Sequence, residues 1–228
     1  MGLGRASIVV LAFAGACSTY APHEPDGDAG VNADAGGDDA GATDAAEASD
    51  AADGAATDAP TDGDAGCPSC KRYVFVTSLQ QFGNVGIAGA DAFCMGRASV
   101  APGTVLSGRT FVAWLSSSTS NVSSRLTHGT GPYVRVDEVT VARDYAELTS
   151  GMLESPIDID ETGTPLAAGS LTWTGTTTGG TVAAATCNDW TTPAANGVTG
   201  DSSLTTGSWT TSGQASCASS QHLYCIEK

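Results

Sequence analysis

Three groups of residues in this chain have types and spacings that could do chemistry. They are Cys67 and Cys70; Asp158, Asp160 and Glu161; and Ser202 with His128 and His222. A redox-active Cys-x-x-Cys pair begins a helix, whose N-terminus lowers the thiol pKa. Here residues 72–77 follow, and their β-branched, alternating pattern predicts a strand. We therefore interpret Cys67 and Cys70 as a local structural disulfide. Redox activity and zinc binding are the alternatives, although no second pair of zinc ligands is evident.

The acidic residues near position 160 are a weak candidate for a cation site. Asp158 and Asp160 alternate, and Glu161 follows, ahead of Gly163. Carboxylates at alternate positions of an extended segment can point the same way, and Ca²⁺ prefers such clusters of oxygen ligands. The alternative is an ordinary solvated turn. No other cofactor is predicted.

The segment around Ser202 resembles the signatures of serine hydrolases. However, it lacks the Gly-x-Ser-x-Gly elbow, and no glycine follows Ser202. The histidines that could serve as the base, His128 and His222, lie in polar contexts. We therefore predict that the protein is not an enzyme, and a secreted hydrolase built on Ser202 and His222 is kept as an alternative.

The elements that must position these residues can be read from periodicity. Residues 86–99 have a helical period with Cys94 on the apolar face, and residues 111–115 read as a buried strand. A second short helix is predicted to begin at Asp144, the N-cap, with Glu147 completing a capping-box-like pair. Short strands are predicted around 171–175, 206–210 and 222–227. The prediction is an α+β domain with two helices, a twisted antiparallel sheet and a loop-rich second half.

The chain has four tryptophans, which are Trp114, Trp173, Trp190 and Trp209. They could be stacking platforms for sugars. Because tryptophan is costly to expose and most of these lie beside strand or cysteine signals, we predict that they belong to the core.

The N-terminus predicts export. Arg5, a short apolar run and small residues before Cys17 describe a signal peptide over residues 1–16. The run is too short to span a bilayer stably. Cys17 fits a lipobox and is predicted to be acylated, which leaves six of the seven cysteines, an even set for disulfides. The alternative is ordinary cleavage and secretion. The predicted location is the outer membrane or cell surface.

Residues 17–66 are predicted to form an acidic, disordered tether. Residues 18–66 contain thirteen acidic residues and no Lys or Arg, and the whole chain carries a net charge of −16. The segment has too few large apolar side chains to offset the conformational entropy that it would lose on folding. This charge makes nucleic acid and anionic lipid implausible partners. Two faintly calcium-loop-like stretches lack the Glu that such a loop needs at its twelfth position.

Eight motifs in residues 71–228 carry a family resemblance. They are 86–94, 111–117, 133–137, 144–148, 171–175, 187–190, 215–217 and 223–227. In order and spacing these resemble the endostatin family, the C-terminal fragments of collagens XV and XVIII, a variant of the C-type lectin-like fold. They are also similar to an uncharacterised family of bacterial lipoprotein domains. The resemblance implies a C-type lectin-like domain over residues 67–228.

The resemblance also implies how four cysteines pair. Spacing alone leaves three connectivities. The family pattern implies disulfides Cys94–Cys225 and Cys187–Cys217. The first would join an early helix to the final strand, and the second would close a loop of about 30 residues.

The resemblance does not supply a ligand. Calcium-dependent lectins of this fold place Asn and Asp before the penultimate cysteine, whereas Gln214, Ala215 and Ser216 precede Cys217 here. The histidine zinc ligands and arginine-rich surface of endostatin also have no counterpart. We therefore expect a surface-tethered, non-catalytic recognition module whose ligand is a glycan, a protein or matrix. The alternative is a structural envelope lipoprotein without a small ligand.

Overall fold

The computed structural model describes residues 70–100 and 104–228. Nine strands lie in this part of the chain: β1 (Arg72–Val76), β2 (Gln81–Phe82), β3 (Phe111–Ala113), β4 (Tyr133–Arg135), β5 (Thr140–Ala142), β6 (Leu171–Trp173), β7 (Asn196–Asp201), β8 (Gly213–Ser216) and β9 (Ser220–Glu227). Four helical elements accompany them: α1 (Gly86–Ser99), α2 (Val122–Arg125), α3 (Tyr145–Leu148) and α4 (Cys187–Trp190). The predicted signal peptide, Cys17, the acidic tether and Cys67 lie outside the described residues.

The strands form one sheet in the order β5-β4-β1-β9-β6-β7-β8, and β2 and β3 also pair with β9. The longest strand, β9, is therefore central, with β1 and β2 along one side and β3 and β6 along the other. The pairs β1–β4 and β6–β9 are parallel. The sheet is thus mixed, and the prediction of an antiparallel sheet is wrong for these two pairs.

Both faces of the sheet are covered. Successive side chains of β1 point to opposite faces, so Tyr73 and Phe75 join one apolar cluster and Val74 and Val76 join the other. The first cluster contains the buried face of α1, Trp173, Trp190 and the cysteines. The second contains Trp114, Trp209 and several loop residues. All five residues of β1 are consequently buried.

The predicted helices are present at 86–99 and after Asp144, and two further one-turn elements, α2 and α4, were not predicted. Asp144 caps α3 by accepting a hydrogen bond from the Glu147 N–H at 2.8 Å. The Glu147 carboxylate returns to the N–H of Arg143, at 2.6 Å, rather than to that of the cap residue. None of the helices in the described residues is long and apolar enough to cross a membrane.

The strand predicted around 206–210 is a single 3₁₀ turn, Gly207–Trp209, which buries Trp209. The turn bends the chain back so that β8 can pair with β7. The mixed composition of helices and strands confirms the predicted α+β class at this coarse level.

Two disulfides connect distant parts of the domain. Cys94 in α1 is joined to Cys225 in β9 across 131 residues, and Cys187 is joined to Cys217 across 30. These are the two pairings that the resemblance implies. In the loop-entropy picture they stabilise the fold by about 5 and about 3.6 kcal/mol respectively. Cys70 is also disulfide-bonded.

Candidate functional site

The acidic residues proposed as a cation site have separate protein partners. Asp158 forms an ion pair with Arg135 at 2.5 Å. Asp160 is 5% exposed, and its Oδ1 accepts hydrogen bonds from the backbone N–H groups of Thr162 and Thr164 at 2.8 and 2.9 Å. The Asp158 carboxylate therefore pairs with a basic side chain, and that of Asp160 stabilises a local turn.

Glu161 is fully buried and links three segments of the chain. Its Oε2 accepts a hydrogen bond from the Ser78 N–H at 2.9 Å, and its Oε1 accepts one from Arg97 Nε at 2.8 Å. The carboxylate thus ties its own loop to α1 and to the chain after β1. Across residues 70–100 and 104–228, no group of three or more His, Cys, Asp or Glu side chains is arranged to hold a metal ion.

The structure does not bring Ser202 and His222 into hydrogen-bond contact. Ser202 is 1% exposed, and its hydroxyl has no hydrogen-bond partner. His222 Nδ1 donates to the carbonyl of Thr77 at 2.6 Å, and its Nε2 lies 3.2 Å from the amide nitrogen of Gln80. His128 is exposed and stacks on Tyr145, with the ring centroids 3.8 Å apart. Ser202 and His222 therefore do not form a hydrogen-bonded pair of nucleophile and base.

The four tryptophans are core residues, as predicted. Trp114 and Trp209 are fully buried, and Trp173 and Trp190 are 1% exposed. They pack in two pairs, Trp114 with Trp209 and Trp173 with Trp190, with ring centroids 4.9 and 5.9 Å apart. None of the four therefore offers a stacking surface to a sugar.

The best candidate site is a pair of loops that are held together, residues 116–123 and residues 174–191, which we call the loop platform. The Asn121 Oδ1 accepts a hydrogen bond from the Val182 N–H at 2.7 Å, and the Ser123 N–H donates to the carbonyl of Gly180 at 3.0 Å. These bonds join the two loops along their length. Irregular segments of this kind, fixed on a rigid sheet, are common locations of binding residues.

A buried network of hydroxyl groups supports the platform from below. Thr174, Thr176 and Thr210 are fully buried. The Thr174 hydroxyl donates to the carbonyl of Thr210 at 2.6 Å, and the Thr210 hydroxyl donates to the carbonyl of Thr176 at 3.0 Å. The indole N–H of Trp114 donates to the Thr210 hydroxyl at 2.8 Å. Because these backbone carbonyls find partners inside the domain, the irregular chain can be buried without unpaired polar groups at these positions.

The element α4 within the platform is a left-handed turn. Four successive residues, Cys187, Asn188, Asp189 and Trp190, have φ values between 52° and 63°. This conformation costs roughly 1 to 2 kcal/mol per residue for ordinary L-amino acids, and less for Asn and Asp. It persists only where surrounding contacts fix it.

Those contacts come from both ends and the middle of the turn. Cys187 is held by the disulfide to Cys217, and the indole N–H of Trp190 donates to the carbonyl of Ser116 at 2.8 Å. The carboxylate of Asp189 accepts hydrogen bonds from the Ser118 N–H and hydroxyl at 2.7 and 2.5 Å. The hydroxyl bond and then the backbone bond hold the pKa of Asp189 below its usual value.

A glycine beneath the turn is required for its packing. Gly175 has φ 49°, and a Cβ at this position would lie 2.4 Å from Cζ2 of Trp190. The bare backbone thus allows the indole ring to reach Ser116. The outer side of the platform presents Asn188, Thr119 and Val182, which are exposed.

Sequence reasoning named Cys187 as a disulfide residue and the segment 187–190 as a family motif, but it did not identify the platform. One available signal was the Asn-Asp pair beside the cysteine, because these two residues tolerate a left-handed backbone better than other residues with a side chain.

No model of a known protein family matches the chain. No curated protein matches it either.

Proposed function

We propose that this protein is a non-catalytic recognition module with a C-type lectin-like fold, and that its ligand site is the loop platform. The module would be exported, lipid-anchored through Cys17 and displayed at the outer membrane or cell surface on the acidic tether of residues 17–66. The ligand would be a glycan or a protein of the surroundings.

The observation that carries the proposal is the fixation of the platform. Two largely irregular loops are joined by side-chain and backbone hydrogen bonds, and the left-handed turn is held by a disulfide, a buried indole and a carboxylate. A pre-organised surface loses little conformational entropy when it binds a partner, which favours affinity. A recognition role would account for the energetically unfavourable left-handed turn, whereas packing of the core alone would not.

The test uses the full-length, disulfide-bonded protein on a glycan array and in pull-downs of surface proteins, each with and without chelator. Val182→Arg places a large cation on the platform, and Val139→Arg makes the same change in the β4–β5 turn. Both valines are 38% exposed, so the two substitutions are matched in burial. The expected result is a bound ligand that is lost with Val182→Arg and kept with Val139→Arg.

Two results would overturn the proposal. A blank array together with no captured protein would remove recognition as the function. Crosslinking that finds one stoichiometric envelope partner, bound equally by both variants, would favour the structural lipoprotein instead. A peptide map under non-reducing conditions, made on protein from its own envelope, tests acylation of Cys17 and the Cys67–Cys70 bond separately.

A further inference from the structure

Backbone groups at several outer edges of the sheet are capped by other parts of the domain. At β3, the Phe111 N–H lies 3.1 Å from Sδ of Met95, and the Ala113 N–H donates to Oδ1 of Asp91 at 2.8 Å. Both capping side chains come from α1. Capping of this kind prevents an exposed edge from pairing with another chain.

Backbone carbonyls of β5 and β2 are also hydrogen-bonded by other parts of the domain. The carbonyl of Val141 in β5 accepts a hydrogen bond from the Glu154 N–H at 2.8 Å, and Arg143 beside it pairs with Glu154 at 3.2 Å. The carbonyl of Gln81 in β2 accepts one from the indole N–H of Trp173 at 2.9 Å.

The terminal strand β8 differs from these edges. Val198 of β7 lies opposite Gln214, but its N–H bonds to Ala185 and its carbonyl accepts from Thr174, both away from β8. The pair Val198–Gln214 is therefore a non-hydrogen-bonded pair of the antiparallel ladder. It follows that the N–H and C=O of Gln214 point to the open side of β8.

Hydrogen-bonded and non-hydrogen-bonded pairs alternate along the ladder, so the N–H and C=O of Ser216 also point to the open side of β8. Its carbonyl accepts from the Ser219 N–H at 2.9 Å, which leaves its N–H facing outward. Gly213, Gln214 and Ser216 are exposed. Residues 202–226 include no Asp, Glu, Lys, Arg or Pro, the residue types that commonly protect an edge.

We propose that β8 is a docking strand, to which an extended segment of a partner protein adds as a further strand through the backbone of Gln214 and Ser216. This inference goes beyond the proposed function, because β8 lies outside the loop platform, and it names a partner class for a second site. Strand addition derives affinity from main-chain hydrogen bonds and specificity from alternate side chains. The segment would be uncharged or basic, because residues 144–227 contain nine Asp and Glu residues and no Lys or Arg.

A second copy of this chain fits the edge less well. A four-residue strand is about 14 Å long, so its pairing alone falls far short of the roughly 800 Å² per partner of a standard interface. Two copies would also bring together two chains of net charge −16. The acidic segment 18–66 is disfavoured for the same electrostatic reason.

The experiment selects random linear dodecapeptides by phage display on the full-length, disulfide-bonded protein. Binding of each enriched peptide is then measured by fluorescence anisotropy. Gln214→Pro removes the outward N–H, and Gln214→Ala removes only the side chain, so the second variant is the matched control. We expect the parent and Gln214→Ala to bind alike and Gln214→Pro to bind about tenfold or more weakly, because one buried peptide carbonyl loses its donor.

Two further measurements use the unsubstituted protein. N-methylation of the peptide at single residues should weaken binding at every second position, and bound peptide should slow hydrogen exchange at the amides of Gln214 and Ser216. If Gln214→Pro fails to fold, these two measurements decide the question alone.

Four outcomes overturn strand docking: no enriched peptide, equal binding by Gln214→Pro, equal losses with Gln214→Ala and Gln214→Pro, or an N-methyl pattern without a period of two. If a ligand sensitive to Val182→Arg is found while strand docking fails, the proposed function stands and only this inference falls.

Discussion

The left-handed turn α4 predicts an unusual order of stabilities at position 188. Asn188 has φ 52° and ψ 63°, and its exposed side chain makes one long hydrogen bond, at 3.3 Å, to the hydroxyl of Thr191. Substitutions there report mainly on the backbone. We expect the free energy of unfolding to fall in the order Gly, Asn, Ala, Val.

The magnitude follows from opposing terms. The left-handed conformation destabilises alanine by roughly 1 to 2 kcal/mol but does not destabilise glycine. Glycine loses about 0.4 to 1 kcal/mol of this advantage through the greater entropy of its unfolded chain. The free energy of unfolding of Asn188→Gly should therefore exceed that of Asn188→Ala by about 1 kcal/mol. The β-branched Asn188→Val variant should be less stable than Asn188→Ala by about 1 kcal/mol more. For a chain of this size 1 kcal/mol corresponds to about 2 to 4 °C in Tm.

The matched control lies in the right-handed helix α1. Gly96 is exposed there, and a Cβ built on it meets no atom within 4 Å. Gly96→Ala should stabilise the protein by about 1 kcal/mol, the opposite sign for the same pair of residues. Denaturant unfolding with the disulfides intact measures both changes. If the variant with alanine is more stable than the one with glycine at both positions, the left-handed conformation of Asn188 is refuted.

Other predictions concern individual contacts within the fold. Gly200→Ala should destabilise the fold by about 3 kcal/mol or prevent folding, because its Cβ would lie 1.9 Å from the carbonyl oxygen of Trp209; a small change in the unfolding midpoint would contradict this contact. Glu161→Gln should cost about 3 kcal/mol, since it removes the buried negative charge that compensates Arg97; denaturation that matches the parent would show that the ion pair contributes little. The pKa of Asp189 is held below its usual value by hydrogen bonds from Ser118. The stability that the Asp189 carboxylate contributes is therefore fully present above about pH 4 and is lost as the pH falls through the folded-state pKa. Between pH 5 and pH 2, the free energy of unfolding should fall less for Asp189→Asn than for the parent. Parallel plots of unfolding free energy against pH would disprove the role of this carboxylate.

Local patterns in the sequence predicted the elements that depend on local forces. The helix at 86–99 follows from its apolar period, with Ala90, Cys94 and Ala98 buried in the structure. The cap at Asp144 follows from the preference of a short carboxylate for exposed N–H groups. Burial of the tryptophans follows from the cost of their exposure.

Features that depend on distant residues could not be predicted in this way. The parallel pairs β1–β4 and β6–β9 join strands that are far apart in sequence. The 206–210 segment has strand-forming residues, but its burial against Tyr224 and Trp114 favours a tight turn. The acidic residues resembled a cation site because nothing local in the sequence indicates that Arg97 and Arg135 would reach them.

The central position of β9 has a consequence for the order of events during synthesis. Among the nine strands it is the last in the chain, yet β1, β2, β3 and β6 all hydrogen-bond to it. Half of the other eight strands therefore lack this partner until β9 has left the ribosome, and contacts of such long sequence separation also form slowly. A polypeptide destined for translocation would benefit from this delay, because this domain would stay unfolded until β9 had been made.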